Sequence, residues 1–264
     1  MNFMKDFEIQ ARQRPTAPAL HCDGMTHTYG DLMKAIDGCG LALKKTGVEP
    51  GERVALMMNN RVEFVIAYQA AVKIGAIIVP INTFLKESEL QYQLKDIEPK
   101  VFIGNDWSAF SIGPIKDEIE SLKEIVLTGV DEYTDFDEFV SSEKGQLEMY
   151  EANDDETAVI KFTAGTTGKS KGAMQTHGNV SRFMSDTMDI GPIQPEECIL
   201  LFVPMFHGFG DHCCMNLVFK VGASYAAMDP FDPDKILRAI QDHRCTYFGC
   251  TPSMLYGLLY HPEV

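Results

Sequence analysis

The stretch that decides the fold runs from Ala158 to His177 and reads AVIKFTAGTTGKSKGAMQTH. Its opening, Ala158 to Phe162, has the apolar, partly β-branched composition of a buried strand. The strand leads straight into Thr163-Ala164-Gly165-Thr166-Thr167-Gly168-Lys169-Ser170-Lys171-Gly172. Three glycines there let backbone N–H groups converge on an anion, because no side chain blocks the approach. Three threonine hydroxyls and two lysines add donors and positive charge. A plain surface hairpin is the bland reading, but such hairpins rarely gather these residues, with no acid among them, in an acidic chain. A P-loop, G-x-x-x-x-G-K-[ST], is the second reading, and Gly168-Lys169-Ser170 matches its end. Thr163 stands where its first glycine belongs, and Gly172 interrupts the helix it should open. Met174-Gln175-Thr176 reads as extended, so the P-loop fails on spacing and context.

Outward from this segment, short apolar runs alternate with stretches of helical period. Strands are expected at Arg53–Met58, Ala76–Pro80, Val101–Ile103, Ile125–Thr128, Ala158–Phe162, Ile199–Val203 and Thr246–Phe248. Helices are expected at Tyr29–Lys45, Val62–Lys73, Glu87–Asp96, Val180–Met188 and Pro233–His243. Such alternation argues for α/β architecture with a mostly parallel sheet. Asp131 to Asp155 is acidic and weakly patterned and reads as a surface connection. Asn179 is the expected N-cap of the helix that follows it.

The chain has 264 residues, 45% hydrophobic and 23% charged, which fits a globular protein with a sizeable core. Its formal charge of −15 repels phosphate backbones and anionic lipid, so nucleic acid and membrane are poor partners. An anionic nucleotide then needs a local nest of donors, which the glycine-rich stretch offers. The seven cysteines are scattered, with no C-x-x-C pair, and read as reduced thiols of a cytoplasmic protein. Met1 to Arg14 lacks the apolar core of a signal peptide, and no apolar run is long enough to span a bilayer.

The segment Thr163 to Gly172 closely resembles the signature of the adenylate-forming superfamily, the AMP-dependent synthetases and ligases. That signature is [ST]-[SA]-G-T-T-G-x-P-K-G, and Ser170, in the place of proline, is the one departure. Thr176-His177-Gly178-Asn179 resembles the H-x-N element after it. Thr26 to Leu32, Gly51 to Ala55 and Val72 to Asn82 are similar to earlier family elements and occur in the right order. Val203-Pro204-Met205-Phe206-His207-Gly208-Phe209-Gly210 resembles P-x-F-H-x-x-G of the acyl-CoA synthetase branch. A core histidine at a strand end is the bland alternative for His207. A zinc site from His207, Asp211, His212 and Cys213 fits no usual ligand spacing.

The resemblance implies layered, mostly parallel sheets with helices packed between and outside them, as in the N-terminal domain of that family. One sheet would span about 63–190, and 15–62 with 196–264 would form part of the second. The family's C-terminal domain would be absent from 1–264. The implied activity is ATP-dependent conversion of a carboxylic acid, fatty or aromatic, to acyl-AMP, followed by transfer to CoA. Ala164, Gly165, Thr166, Thr167, Gly168, Lys169, Lys171 and Gly172 would hold the β- and γ-phosphates, with Thr163 also helping to coordinate Mg²⁺. Lys171 and His207 would be the catalytic positions, His207 lying beside the carboxylate. The chain is expected to need the remaining half for turnover, and to form a homodimer or join a complementary C-terminal portion. A non-catalytic nucleotide-binding or interaction module is the alternative.

Overall fold

The computed structural model describes residues 1–163, 169–229 and 231–262. The chain begins with α1 (Lys5–Gln13), β1 (Pro18–Cys22), β2 (Met25–Thr28) and α2 (Tyr29–Lys45). Then come β3 (Arg53–Met57), α3 (Val62–Lys73), β4 (Ile77–Pro80), α4 (Glu87–Ile97) and β5 (Val101–Asn105). A short α5 (Ala109–Ile112) precedes β6 (Glu124–Thr128), β7 (Thr134–Asp135) and α6 (Phe136–Ser141). The segment read first forms β8 (Thr157–Thr163) and β9 (Lys171–Thr176), followed by α7 (His177–Ile190). The last part holds β10 (Cys198–Leu201), α8 (Leu217–Val221), β11 (Ser224–Ala227), α9 (Pro233–Asp242), β12 (Tyr247–Phe248) and α10 (Pro252–Leu259).

These elements sort into two compact units. The first comprises Met1–Lys5, Met33–Asn59 and Glu63–Arg182. Its sheet has seven strands in the order β7-β6-β5-β3-β4-β8-β9. Neighbours are parallel except β8 and β9. Central strands read as near-continuous apolar runs because helices cover both faces. Ala55, Met57, Val79, Phe102 and Leu127 pack with Leu90, Leu94 and Ile97 of α4. Helix α3 is buried nearly all round, and its Lys73, only 1% exposed, pairs with Asp37 of α2 at 2.6 Å.

The second unit comprises Asp6–Leu32, Asn60–Val62 and Phe183–Val264. Its five strands run β12-β10-β11-β1-β2, with β2 antiparallel and the other pairs parallel. Phe7, Tyr29, Phe219 and Tyr225 form an aromatic cluster with ring centroids 4.7–6.0 Å apart. Such a buried phenol needs a partner, and the Tyr29 hydroxyl donates to the Ala223 carbonyl at 2.6 Å. Cys198, Leu200, Phe202, Ala226, Ile236 and Leu258 form a separate apolar cluster.

Three expectations change. Residues 33–59, assigned from the sequence to the second sheet, belong to the first unit, because β3 pairs with both β4 and β5. Part of the acidic run Asp131–Asp155, residues 134–141, is structured. Asp135 accepts hydrogen bonds from the Asp137 and Glu138 amides and starts α6, which buries Phe136 and Phe139. The cap of α7 is Thr176, not Asn179: Thr176 Oγ1 accepts from the Asn179 amide, and Asn179 Oδ1 accepts from the Thr176 amide. This reciprocal pair is a capping box, with asparagine in the third helical position. Among the described residues, no helix is long and apolar enough to cross a membrane.

Candidate functional site

Strands β8 and β9 run antiparallel, with Thr163 facing Lys171 and Phe162 facing Gly172 in register. Directly opposed residues of an antiparallel pair project to the same face. Thr163 and Lys171 therefore stand together where the two strands end, and both are exposed. A Cβ on Gly172 would lie 2.9 Å from Ile160 Cγ2, so any larger residue there would require the Ile160 side chain to shift. Because a strand follows Lys171, where a P-loop would continue as helix, the P-loop reading is excluded on geometry. Ala164, Gly165, Thr166, Thr167 and Gly168 lie outside the described residues.

Helix α4 grips the far side of this connection. Gln93 Nε2 donates to Ser170 Oγ at 3.2 Å, and the Tyr92 hydroxyl donates to the Ser170 carbonyl at 3.3 Å. Lys169 Nζ sits 5.0 Å from the centre of the Tyr92 ring, within cation–π range. Ser170 thus uses its hydroxyl where the family signature carries a stiff proline. Tyr92 and Gln93 were not singled out in the sequence. They lie in an ordinary amphipathic helix, and their partner is 77 or 78 positions away.

Just beyond β9, His177 is buried, and its Nδ1 accepts the Phe3 amide at 3.4 Å. Burial, then the Met1 ammonium, holds its imidazole down to about 4, against the opposing pull of Glu156 and Asp154. His177 is therefore a neutral acceptor that ties the N-terminal segment to the root of the hairpin.

His207 belongs to the second unit. It is exposed, on the turn that leaves the carboxyl end of β10. Its amide donates to the Pro204 carbonyl at 3.0 Å, and its own carbonyl accepts from Gly210 and Asp211 at 2.9 and 3.2 Å. A Cβ on Gly210 would approach the Pro204 oxygen to 2.3 Å, so this tight turn needs glycine. A π-helical segment, Phe209–Asn216, continues from it. Such wide turns are uncommon and frequent at functional sites. Asn60 anchors the preceding residues: Nδ2 donates to the Val203 and Met228 carbonyls at 3.0 and 3.2 Å, and Oδ1 accepts the Met205 amide at 2.8 Å. No sequence pattern marked Asn60 for this role.

The core-histidine reading of His207 fails on its exposure. Asp211 and His212 are the buried pair instead, with His212 Nδ1 3.6 Å from Asp211 Oδ1. Among the described residues, no group of three or more His, Cys, Asp or Glu is placed to hold a metal ion.

The hairpin, the signature it carries and the turn at His207 can be set beside known proteins. Residues 7–264 match the family described as AMP-binding enzymes. The chain belongs to that family. It is 30% identical over 290 residues to a long-chain-fatty-acid–CoA ligase of Bacillus subtilis (strain 168), covering 96% of this chain and 51% of that one. It is 31% identical to the 2-succinylbenzoate–CoA ligase of Bacillus velezensis, covering 96% and 50% of the two chains. The N-terminal domain of FACL13 from Mycobacterium tuberculosis superposes with a TM-score of 0.92 at 27% identity, covering 99% of this chain and 65% of that one. The chain spans about half the length of the curated relatives it matches. Its layered α/β architecture is that of the N-terminal domains of adenylate-forming CoA ligases.

Proposed function

We propose that this chain carries the phosphate-binding loop and part of the acid site of an AMP-forming acid–thiol ligase that acts on a fatty or aromatic carboxylic acid. The observation that carries the reading is the signature Thr163–Gly172 carried between antiparallel strands, with Thr163 and Lys171 opposed at the end where the strands are connected. Relatives acting on long-chain fatty acids and on 2-succinylbenzoate support the substrate class.

In this reading the acid's carboxylate oxygen attacks the α-phosphorus of ATP. An O–P bond forms, and the bond to pyrophosphate breaks. Charge grows on the leaving pyrophosphate, so donors fixed at its oxygens favour the transition state over the ground state. Lys171 supplies an exposed ammonium there. Lys169, Gly172 and residues 164–168 are assigned to the β- and γ-phosphates by the signature. Thr163 offers a hard, exposed hydroxyl oxygen that fits one position in a Mg²⁺ shell otherwise filled by phosphate and water. The metal would neutralise charge on the phosphates. His207 shapes the site for the carboxylate. The CoA sulfur then attacks the acyl carbon, forming the thioester and releasing AMP.

The second reading is a non-catalytic module that binds nucleotide or a partner without turnover. Full reaction would then require association with a complementary portion or a second copy. The exposed Tyr247, Tyr256, Leu259 and Tyr260 support an association surface. ATP–pyrophosphate exchange with Mg²⁺ and pools of fatty and aromatic acids tests the main reading, with Lys171→Ala as control. Acid-dependent exchange lost in the variant supports it. Mg-ATP binding without exchange favours the module, and release of phosphate in place of pyrophosphate would sink both.

A further inference from the structure

Seven cysteines are spread along the chain, and two of them meet outside the ligase site. Cys198 opens β10, and Cys245 lies two residues before β12, the strand that pairs with β10. The Thr246 amide donates to the Cys198 carbonyl at 3.0 Å, holding the two segments side by side. The sulfurs are 3.8 Å apart, with the Cys245 thiol directed at Cys198 Sγ and 3.6 Å from the Ala239 carbonyl. Cys245 itself stands outside the strand, just after Arg244, whose φ is +52°. Its side chain is therefore not fixed by ladder geometry, and closing a disulfide would bring the sulfurs from 3.8 Å to ~2.05 Å.

We propose that Cys198 and Cys245 form a redox modification site, a dithiol that a peroxide closes to a disulfide. The Cys198 thiolate attacks one peroxide oxygen; an S–O bond forms and the O–O bond breaks. For hydrogen peroxide the leaving hydroxide takes up a proton and becomes water. Cys245 sulfur then attacks the sulfenic sulfur, the S–S bond forms, and the S–OH oxygen leaves as a second water with the Cys245 proton. Two thiols are oxidised by two electrons in all, and one peroxide is reduced to two waters.

Selectivity follows from the surroundings. The thiolate is the reactive species. The Cys245 thiol, helped by Ser224 and the Ala226 amide, pulls the Cys198 thiol down despite its burial. Burial pushes Cys39 and Cys214 up to about 12, which leaves them inert. Cys245, half-buried, is the resolving thiol. The bond would fix the two-residue strand β12 to β10, its neighbour in the sheet.

The test is peroxide treatment of the reduced protein, then alkylation and chymotryptic peptide mapping. Cleavage after Phe202, Phe206 and Phe209 separates Cys198 from Cys213 and Cys214, and cleavage after Tyr247 or Phe248 separates Cys245 from Cys250. The expected product is a linked Cys198–Cys245 peptide, two thiols fewer per chain, and full reversal by a dithiol reductant. In Cys245→Ser, Cys198 should persist as a sulfenic acid that a dimedone reagent captures. A disulfide through Cys250 or Cys213, or unchanged alkylation of Cys198 and Cys245 in the wild-type protein, overturns the proposal.

Discussion

Two regions of the first unit hold lysines under opposite conditions. At the α2–α3 interface, Lys73 is buried, bonded to Asp37 at 2.6 Å and 3.3 Å from Met33 Sδ. At the β8–β9 hairpin, Lys171 stands exposed beside Thr163. Removing two charges from water costs several kcal/mol, so the Lys73 pair survives only because each partner compensates the other. Lys171 carries no such burden. A cation that the fold uses internally is spoken for, whereas one placed at an exposed strand end among glycines and threonines is available to a ligand. In the proposed reading, that difference separates a structural charge from one that meets the nucleotide.

The largest expected effect is at Lys73. Lys73→Ala should destabilise the protein by about 3–5 kcal/mol, because it leaves the Asp37 carboxylate buried alone. Urea unfolding measures this, and Lys73→Met combined with Asp37→Leu should recover most of the loss. A cost under about 1 kcal/mol would erase the contrast. Lys171→Ala should do the reverse: unfolding free energy within about 0.5 kcal/mol of wild type, and exchange activity lower by roughly 10²–10³-fold, as for the loss of one transition-state donor. Equal damage to stability and exchange would make Lys171 a structural residue after all.

His177 lies between these extremes, buried yet neutral. Its folded value of about 4 is below the ordinary 6.5, so the unfolded chain binds more protons between those values. Stability should therefore fall as pH drops from about 6.5 to 4, by on the order of 2–3 kcal/mol, and this contribution should level off below. His177→Asn, which can still accept the Phe3 amide, should flatten that part of the urea–pH curve. An unchanged slope would move the acid sensitivity elsewhere. The smallest effect sharpens the picture of the hairpin: Gln93→Leu removes one neutral hydrogen bond to Ser170, worth about 1 kcal/mol. The KM for ATP should rise several-fold while kcat changes little. An unaltered KM would mean that α4 does not hold the loop for nucleotide.

Much of this was legible in the chain. The helices at Tyr29–Lys45 and Val62–Lys73 fall where their apolar spacing put them, and so do the central strands. The weakly apolar β1, β2 and β11, the π-helical turn and the structure inside the acidic run did not announce themselves. Their stability comes from partners far away in sequence, such as the pairing of Leu20 with Tyr225.

The sequence by itself determined the family and the loop. Ten adjacent residues carry the signature, and neighbours in sequence remain neighbours in any fold. Only the tertiary structure decided that β3 sits at the heart of the first sheet, that Gln93 holds Ser170 and that Asn60 fixes the turn before His207. It also decided that Lys73 is a partner of Asp37 and that Cys198 meets Cys245. Each of these depends on a pairing, hydrogen bond or ion pair between residues 24 to 145 positions apart. Local periodicity reports which face of an element is buried, but the identity of its partner is fixed only when the sheets assemble.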